Sequence, residues 1–262
     1  MLQKIFKKSK KRETDIILEL AQNLPRFKHY TFNFRKYRIE VPDFLSVAWQ
    51  IKEYFEDNEL DFISQVDNPI IIDCGSNIGI SILYFFEKYP LAKIYAFEPD
   101  PNIFKYLKTN LTKNCINKEL FLNDSAIWIN ELGIDFGIEG ADGGSIFLSK
   151  KSINVKTTRL RDFILKFNRI DLLKIDIEGA EVEVLDDCKD VLENIKYISC
   201  EYHSFKNRPQ ELGKILKILE NADFRYNIKM INNVNGFAQN SITNNGMDLQ
   251  LNIYATNNKK NI

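Results

Sequence analysis

The chain has 262 residues, enough for one large α/β domain with a modest extension at roughly 100 to 200 residues per domain. Its 44% hydrophobic and 27% charged content exclude a mainly disordered chain. With 36 basic against 36 acidic residues it lacks the positive field that collects nucleic-acid phosphates, so no nucleic-acid partner is expected. Cys74, Cys115, Cys188 and Cys200 are scattered, with no CxxC pair and no zinc-finger spacing, which fits a reducing compartment. No run approaches the ~18 apolar residues of a membrane span, and Met1 to Arg12 lacks the apolar core of a signal peptide, so the expected location is cytoplasmic.

In chain order, a basic cluster (Lys7, Lys8, Lys10, Lys11, Arg12) precedes an apolar stretch from Ile16 to Leu20. This is either a solvated helix end or an amphipathic helix able to make a peripheral contact with an anionic membrane. The aromatic and β-branched segment Tyr30 to Val41 and the helical stretch Phe44 to Glu56 complete an N-terminal extension or lid over residues 1–60. The main domain is expected over 61–262. There, short apolar runs alternate with helical periods, the mark of repeated βα units on a parallel sheet. Strands are predicted at Ile70 to Asp73, Lys93 to Phe97, Leu120 to Asn123, Leu172 to Ile175 and Tyr197 to Glu201. Helices are predicted at Ile78 to Glu87, Asn102 to Thr112, Leu160 to Lys166, Val182 to Leu192 and Glu211 to Ala222. Two closing strands, Phe224 to Met230 and Leu249 to Ala255, flank an Asn-rich loop from Asn232 to Asn245.

The chemistry concentrates at the strand ends. In IIIDCGSNIG an apolar strand ends at Asp73 and turns through Gly75 and Gly79 into a helix. Asp73 is placed to receive a positive group such as the amine of an amino-acid-like ligand. Ser76 and Asn77 can bond a carboxylate or cap the helix. The next strand ends YAFEPDP, putting Glu98 and Pro99 at its tip, where a carboxylate accepts hydrogen bonds from ribose hydroxyls. The pair of features specifies a nucleoside cofactor. The G-x-x-x-G spacing lacks the G-x-G-x-x-G that approaches a pyrophosphate, which disfavours NAD. At the third strand end, Asp124 and Ser125 are either readers of an adenine amino group or solvated loop residues.

Two further strand ends carry ionisable groups. LLKIDIEGAE puts Lys174 and Asp176 on one face, with Glu178 in the turn and Glu181 at the start of the next helix, where it favours the positive end. CEYH puts Glu201 and His203 on one face. Asp176 lies where an open parallel sheet places its ligand crevice. His203, one of two histidines, is the leading general-base candidate, because imidazole titrates near working pH. Asp176, Glu201 and His203 could instead collect a divalent cation, Mg or Mn rather than zinc.

Taken together, IIIDCGSNIG, AFEPDP, the Asn110 and Asn114 region, LLKIDIEGAEVEVL and ISCEYH resemble the FkbM family of S-adenosylmethionine-dependent methyltransferases, from about Ile70 to His203. The resemblance implies the class I, Rossmann-like α/β fold: a seven-stranded, mostly parallel sheet with the last strand antiparallel and helices on both faces. It implies S-adenosyl-L-methionine as cofactor, with Asp73, Gly75, Asn77 and Gly79 at its methionine end and Glu98 at its ribose. It also implies O-methylation of hydroxyls on sugars, glycolipids or polyketide-type products. The expected acceptor is a small-molecule sugar, on a nucleotide or in a surface-polysaccharide precursor. Competing readings are a methyltransferase for RNA, DNA, amines or a non-sugar small molecule, a non-catalytic cofactor-binding protein, and a dehydrogenase. The absence of paired prolines and an aromatic after Asp176 counts against the nucleic-acid reading.

Overall fold

The computed structural model describes residues 12–114, 116, 119–137, 152–231 and 246–259. The basic residues Lys7 to Lys11, Cys115 and the Asn232 to Asn245 loop lie outside them.

The five apolar runs become parallel strands. β3 (Ile70–Cys74), β4 (Lys93–Phe97), β5 (Leu120–Asn123), β10 (Ile170–Ile175) and β11 (Ile195–Phe205) join the closing strands β12 (Phe224–Met230) and β13 (Met247–Asn257) in one seven-stranded sheet of order β12-β13-β11-β10-β3-β4-β5. The last strand, β13, runs antiparallel to both its neighbours, and β12 is therefore parallel to the rest. This is the α/β class I fold that the family resemblance implies. β10 is buried along its whole length, as a strand covered on both faces must be.

Between the strands lie α3 (Ile80–Lys88), α4 (Pro101–Lys113), α5 (Leu160–Ile164), α6 (Glu181–Cys188) and α7 (Leu212–Asn221). Asp100 starts α4 by accepting the N–H groups of Asn102 and Ile103, with Pro101 in the first turn where its missing N–H costs nothing. One core, with Ile71, Ile94, Leu83 and Leu107, fills one face of the sheet, and a second, with Ile72, Leu173, Leu185 and Ile198, fills the other. The segment after Asn123 holds short pairs that its polar sequence does not announce. β6 (Ala126–Trp128) pairs with β9 (Thr157–Arg159), and β7 (Ile134–Gly137) pairs with β8 (Ser152–Val155).

The extension consists of α1 (Glu13–Gln22), the hairpin β1 (Tyr30–Phe34) and β2 (Tyr37–Val41), and α2 (Phe44–Phe55). Ile16, Ile17 and Leu18 of α1 are buried, Ile17 and Leu18 within the first core, so the apolar face weighed for membrane contact is already covered by protein. Among the described residues no helix is long and apolar enough to cross a membrane. Two amides, Asn110 in α4 and Asn114 at its C-cap, clamp the extension in place. Asn110 accepts the Glu40 N–H at 2.8 Å and donates to the Glu40 and Ile78 carbonyls at 3.0 Å. Asn114 accepts the Arg38 N–H at 2.8 Å and donates to the Arg38 carbonyl at 2.9 Å. Four helical residues rise about 6 Å and two strand residues about 6.8 Å, so an i, i+4 amide pair can act as a neighbouring strand for the i, i+2 peptide groups of β2.

Candidate active site

Strand register brings the candidate residues to one rim. Cys74 pairs with Phe97 and with Ile175, Phe97 with Asn123, and Ile175 with Cys200. The next residues along the chain, Gly75, Glu98, Asp124, Asp176 and Glu201, therefore end level. The chain winds from β3 through β4 to β5 on one side and continues through β10 and β11 on the other, so the crevice opens between β3 and β10. A cleft open to solvent occupies this place.

On the β3 and β4 side the backbone does most of the building. The Phe97 carbonyl accepts the N–H groups of Gly75 and Ser76, which pins the turn to the adjacent strand. Gly75 has φ +83°, and a Cβ there would lie 1.8 Å from the Asp176 carbonyl oxygen. The glycine thus allows two loops to touch as well as bordering the cleft. Gly79 has φ +94°, and a Cβ on it would press on Leu107 at 2.8 Å. Asn77 borders the cleft, and its N–H donates to Glu98 at 3.0 Å, while the other Glu98 oxygen accepts the Asp100 N–H at 2.9 Å. Burial, joined by the Asp100 charge, pushes the Glu98 carboxyl up to about 8 against these two donors. Each oxygen keeps a further lone pair for a hydroxyl donor. Pro99 completes this edge.

Four residues of the predicted cofactor set sit away from the cleft: Gly79, which packs on Leu107, and Ser76, Asp73 and Asp124. Ser76 is buried and donates to the Asp73 carbonyl at 2.9 Å, so it fastens the turn and leaves the helix uncapped. Asp73, fully buried, accepts from Ser81 at 2.6 Å and pairs with Lys174 at 3.4 Å. Its carboxylate lies beneath the turn. Asp124 points to solvent and pairs with Lys156, whereas its neighbour Ser125 borders the cleft and bonds Thr158 at 2.7 Å.

On the β10 and β11 side, side chains do the building. Lys174 is buried and donates to the Gly75 carbonyl at 3.0 Å and to Asp176 at 3.3 Å, which ties the two loops across the crevice. Burial would lower its pKa, but Asp176 and Asp73 raise it well above the ordinary lysine value. Asp176, Glu178 and Glu201 border the cleft. β11 continues past Glu201 to Phe205, paired with β13, so His203 lies inside the strand and its ring is buried. Its Nδ1 faces Glu181 at 3.0 Å, and its Nε2 faces Glu201 at 3.3 Å, Glu178 at 3.7 Å and Asp176 at 4.0 Å. Burial works to neutralise the ring, but Glu178 and Glu181 hold its pKa well above the ordinary histidine value. A charged imidazole has no free lone pair for a proton. Burial raises Asp176 and Glu178, whereas for Glu201 the effect of burial is outweighed by His203 and Gln250, which leave it below the usual carboxylate range. Asp176, Glu178 and His203 bring ligand atoms within 4.8 Å of one another, a set able to hold a metal ion.

Several residues bordering the site do not stand out in the sequence. α2 presents Ser46, Trp49, Gln50, Glu53 and Tyr54 to the cleft, an i, i+3, i+4, i+7, i+8 stripe. Glu53 is pushed up to about 8 by burial and by the charges of Glu201, Glu59 and Asp176. Gln250, opposite His203 in β13, donates to Glu201. Glu181 accepts the N–H groups of Ile177 and Gly179 as well as facing His203. Its place at the start of α6 was the signal the sequence carried, read there only as favouring the positive helix end.

A family model for the methyltransferase FkbM domain matches residues 73–226, more than half of the chain. The chain belongs to the FkbM methyltransferase family. Methyltransferase sdnD of Sordaria araneosa is 33% identical over 51% of this chain and 66% of its own length. The 2-O-methyltransferase NoeI of Sinorhizobium fredii is 29% identical over 52% and 63%, and the hexuronic acid methyltransferase AglP of Haloferax volcanii is 25% identical over 57% and 62%. The chain thus spans just under two thirds of these relatives' lengths. The crystal structure of methyltransferase FkbM from Methylobacillus flagellatus KT superposes with a TM-score of 0.53 at 16% identity, over 79% of this chain and 47% of that one, which supports the shared fold. In this FkbM-family chain, the matched segment holds both sides of the crevice, and α2 lies outside it.

Proposed function

We propose that the chain transfers a methyl group from S-adenosylmethionine to a hydroxyl of a sugar, on a surface-glycan precursor. The observation that carries this reading is a switch-point cleft with Glu98 on one side and Asp176 and Glu201 on the other, bordered among the described residues by no Lys or Arg. An acid-rich lining suits a cofactor that carries a sulfonium and an ammonium. It suits a neutral polyol acceptor better than a nucleotide diphosphate, which calls for basic partners. The sugar acceptor has further support from relatives named for 2-O-methylation and for hexuronic acid methylation.

In this reading Glu98 accepts the ribose hydroxyls, Asn77 and Pro99 flank them, and Ser125 meets the base. Asp73 reaches the ligand only through the turn it supports. Bound there, the cofactor would supply an electrophilic methyl group to the acceptor oxygen. The protein's work is alignment and removal of the hydroxyl proton. Asp176 and Glu201, which border the cleft, take that proton as a coupled pair, and His203, behind them, holds their charge and orientation as a positioning residue. Trp49 and Gln50 of α2 form the acceptor side, with the indole a stacking surface for a sugar ring.

Calorimetry with S-adenosylhomocysteine against NAD tests the cofactor, and a panel of neutral glycans and nucleotide sugars with methyl-labelled cofactor tests the acceptor. Binding of the former nucleoside and labelling of a neutral glycan are expected. Binding of NAD alone, or label confined to nucleotide sugars or RNA, would overturn the corresponding half.

A further inference from the structure

We propose that Asp176, Glu178 and Nε2 of His203, with Glu201 beside them, form a site for one divalent cation of the magnesium or manganese class. The role of the ion in turnover rests on the methyl-transfer reading, whereas its binding does not.

The imidazole carries the argument. Its ring is almost wholly buried, and Nδ1 is engaged by Glu181 at 3.0 Å, so only Nε2 faces the carboxylates. One N–H there serves one acceptor, and Glu201 at 3.3 Å is the nearest. Glu178 at 3.7 Å and Asp176 at 4.0 Å are too far for hydrogen bonds, yet both turn toward the same nitrogen. Ligands on an octahedral ion with bonds of about 2.1 Å stand about 3.0 Å apart when adjacent and about 4.2 Å when opposite. The separations of Glu178 and Asp176 from Nε2 fall inside that window.

Orientation and charge agree with this. A metal-ligating histidine commonly gives its other ring nitrogen to a carboxylate, the relation of Nδ1 to Glu181. Glu181 is itself fixed by the N–H groups of Ile177 and Gly179. Glu178, Glu181 and Glu201 crowd three carboxyl groups around the one imidazole. Replacing the Nε2 proton with a dipositive ion compensates this excess. Two carboxylates and one imidazole suit Mg or Mn, and Cys200, the neighbour of Glu201, points to the other face of the sheet. Because the three carboxylates border the cleft, an ion there has open positions toward an acceptor hydroxyl and would lower its pKa.

The test uses the full chain stripped with a chelator and titrated with manganese(II) chloride, without cofactor or acceptor, and followed by electron paramagnetic resonance. One bound manganese per chain is expected, displaced by magnesium and showing nitrogen coupling from one imidazole. His203→Ala should abolish the coupling and weaken binding at least tenfold, Asp176→Asn should weaken it likewise, and Glu87→Gln, remote from the site, should leave it unchanged. Absence of stoichiometric manganese binding, or bound manganese without nitrogen coupling in the unaltered chain, would overturn the site even where a variant fails to fold. S-adenosylhomocysteine binding in chelator, measured in parallel, reports the cofactor reading separately.

Discussion

The two sides of the cleft are built on different principles. On the β3 and β4 side the polar groups are satisfied by the protein's own backbone: Gly75 and Ser76 on the Phe97 carbonyl, and Asn77 and Asp100 on Glu98. On the β10 and β11 side Asp176, Glu178, Glu201 and His203 face one another through side chains, and burial pushes the first two carboxyls up. The first side is set before any ligand arrives, and the second is left with an electrostatic demand that a ligand can meet. A binding surface and a reacting surface can therefore share one crevice, provided that the backbone fixes their separation.

That separation rests on Gly75, so its substitution should have the largest effect. Gly75→Ala would place a methyl group 1.8 Å from the Asp176 carbonyl oxygen at a positive φ, and the two sides would have to part. A loss above about 4 kcal/mol in denaturant unfolding is expected, with no measurable S-adenosylhomocysteine binding. A stable variant that still binds would show that the sides are independent.

The next effect separates the sides by function. Asp176→Asn and Glu201→Gln keep the shape of the reacting side but remove a proton acceptor. Turnover should fall about 10²- to 10³-fold while S-adenosylhomocysteine affinity stays within about tenfold. His203→Ala should resemble them through misorientation, and His203→Gln should recover part of the activity. Equal losses in binding and turnover would erase the distinction between the sides.

The two sides also differed in how far sequence could reach them. The strands of the sheet were legible because a strand covered on both faces needs a continuous apolar run, and Gly75 and Glu98 lie one residue beyond such runs. Asp73 and Ser76 were placed correctly along the chain, but their direction was not, since Lys174 and Ser81 reach Asp73 from β10 and α3. The depth of His203 was hidden because β13, which prolongs β11 to Phe205, comes more than forty residues later. The α2 stripe was invisible for a similar reason. Periodicity reveals a helix but not which neighbour its polar face meets.

What aims that stripe is the amide clamp between α4 and β2, the third effect in size. Asn110 is fully buried, so Asn110→Ala would strand the Glu40 and Ile78 backbone groups, with an expected loss of about 2 to 4 kcal/mol in chemical denaturation. Asn114→Ala, closer to solvent, should cost about 1 kcal/mol. Because Ile78 belongs to the turn before α3, the Asn110 variant should also weaken S-adenosylhomocysteine binding. Equal costs at the two positions would mean that burial does not set the strength of the clamp.

The smallest effect concerns Glu53, the acid that α2 adds to the reacting side. Its carboxyl is pushed up to about 8 from an ordinary 4.5, so the folded protein keeps a proton that the unfolded chain releases. The sign follows from that order: the stabilisation is complete below pH 4.5 and is lost as pH rises through about 8. Without ligand, the melting temperature should therefore decline across this interval, and Glu53→Gln, neutral at every pH, should decline less. Parallel slopes for the two proteins would mean that neither burial nor the charges of Glu201, Glu59 and Asp176 raise the Glu53 carboxyl. The electrostatic demand of the reacting side would then end at the sheet and leave α2 as an uncharged wall.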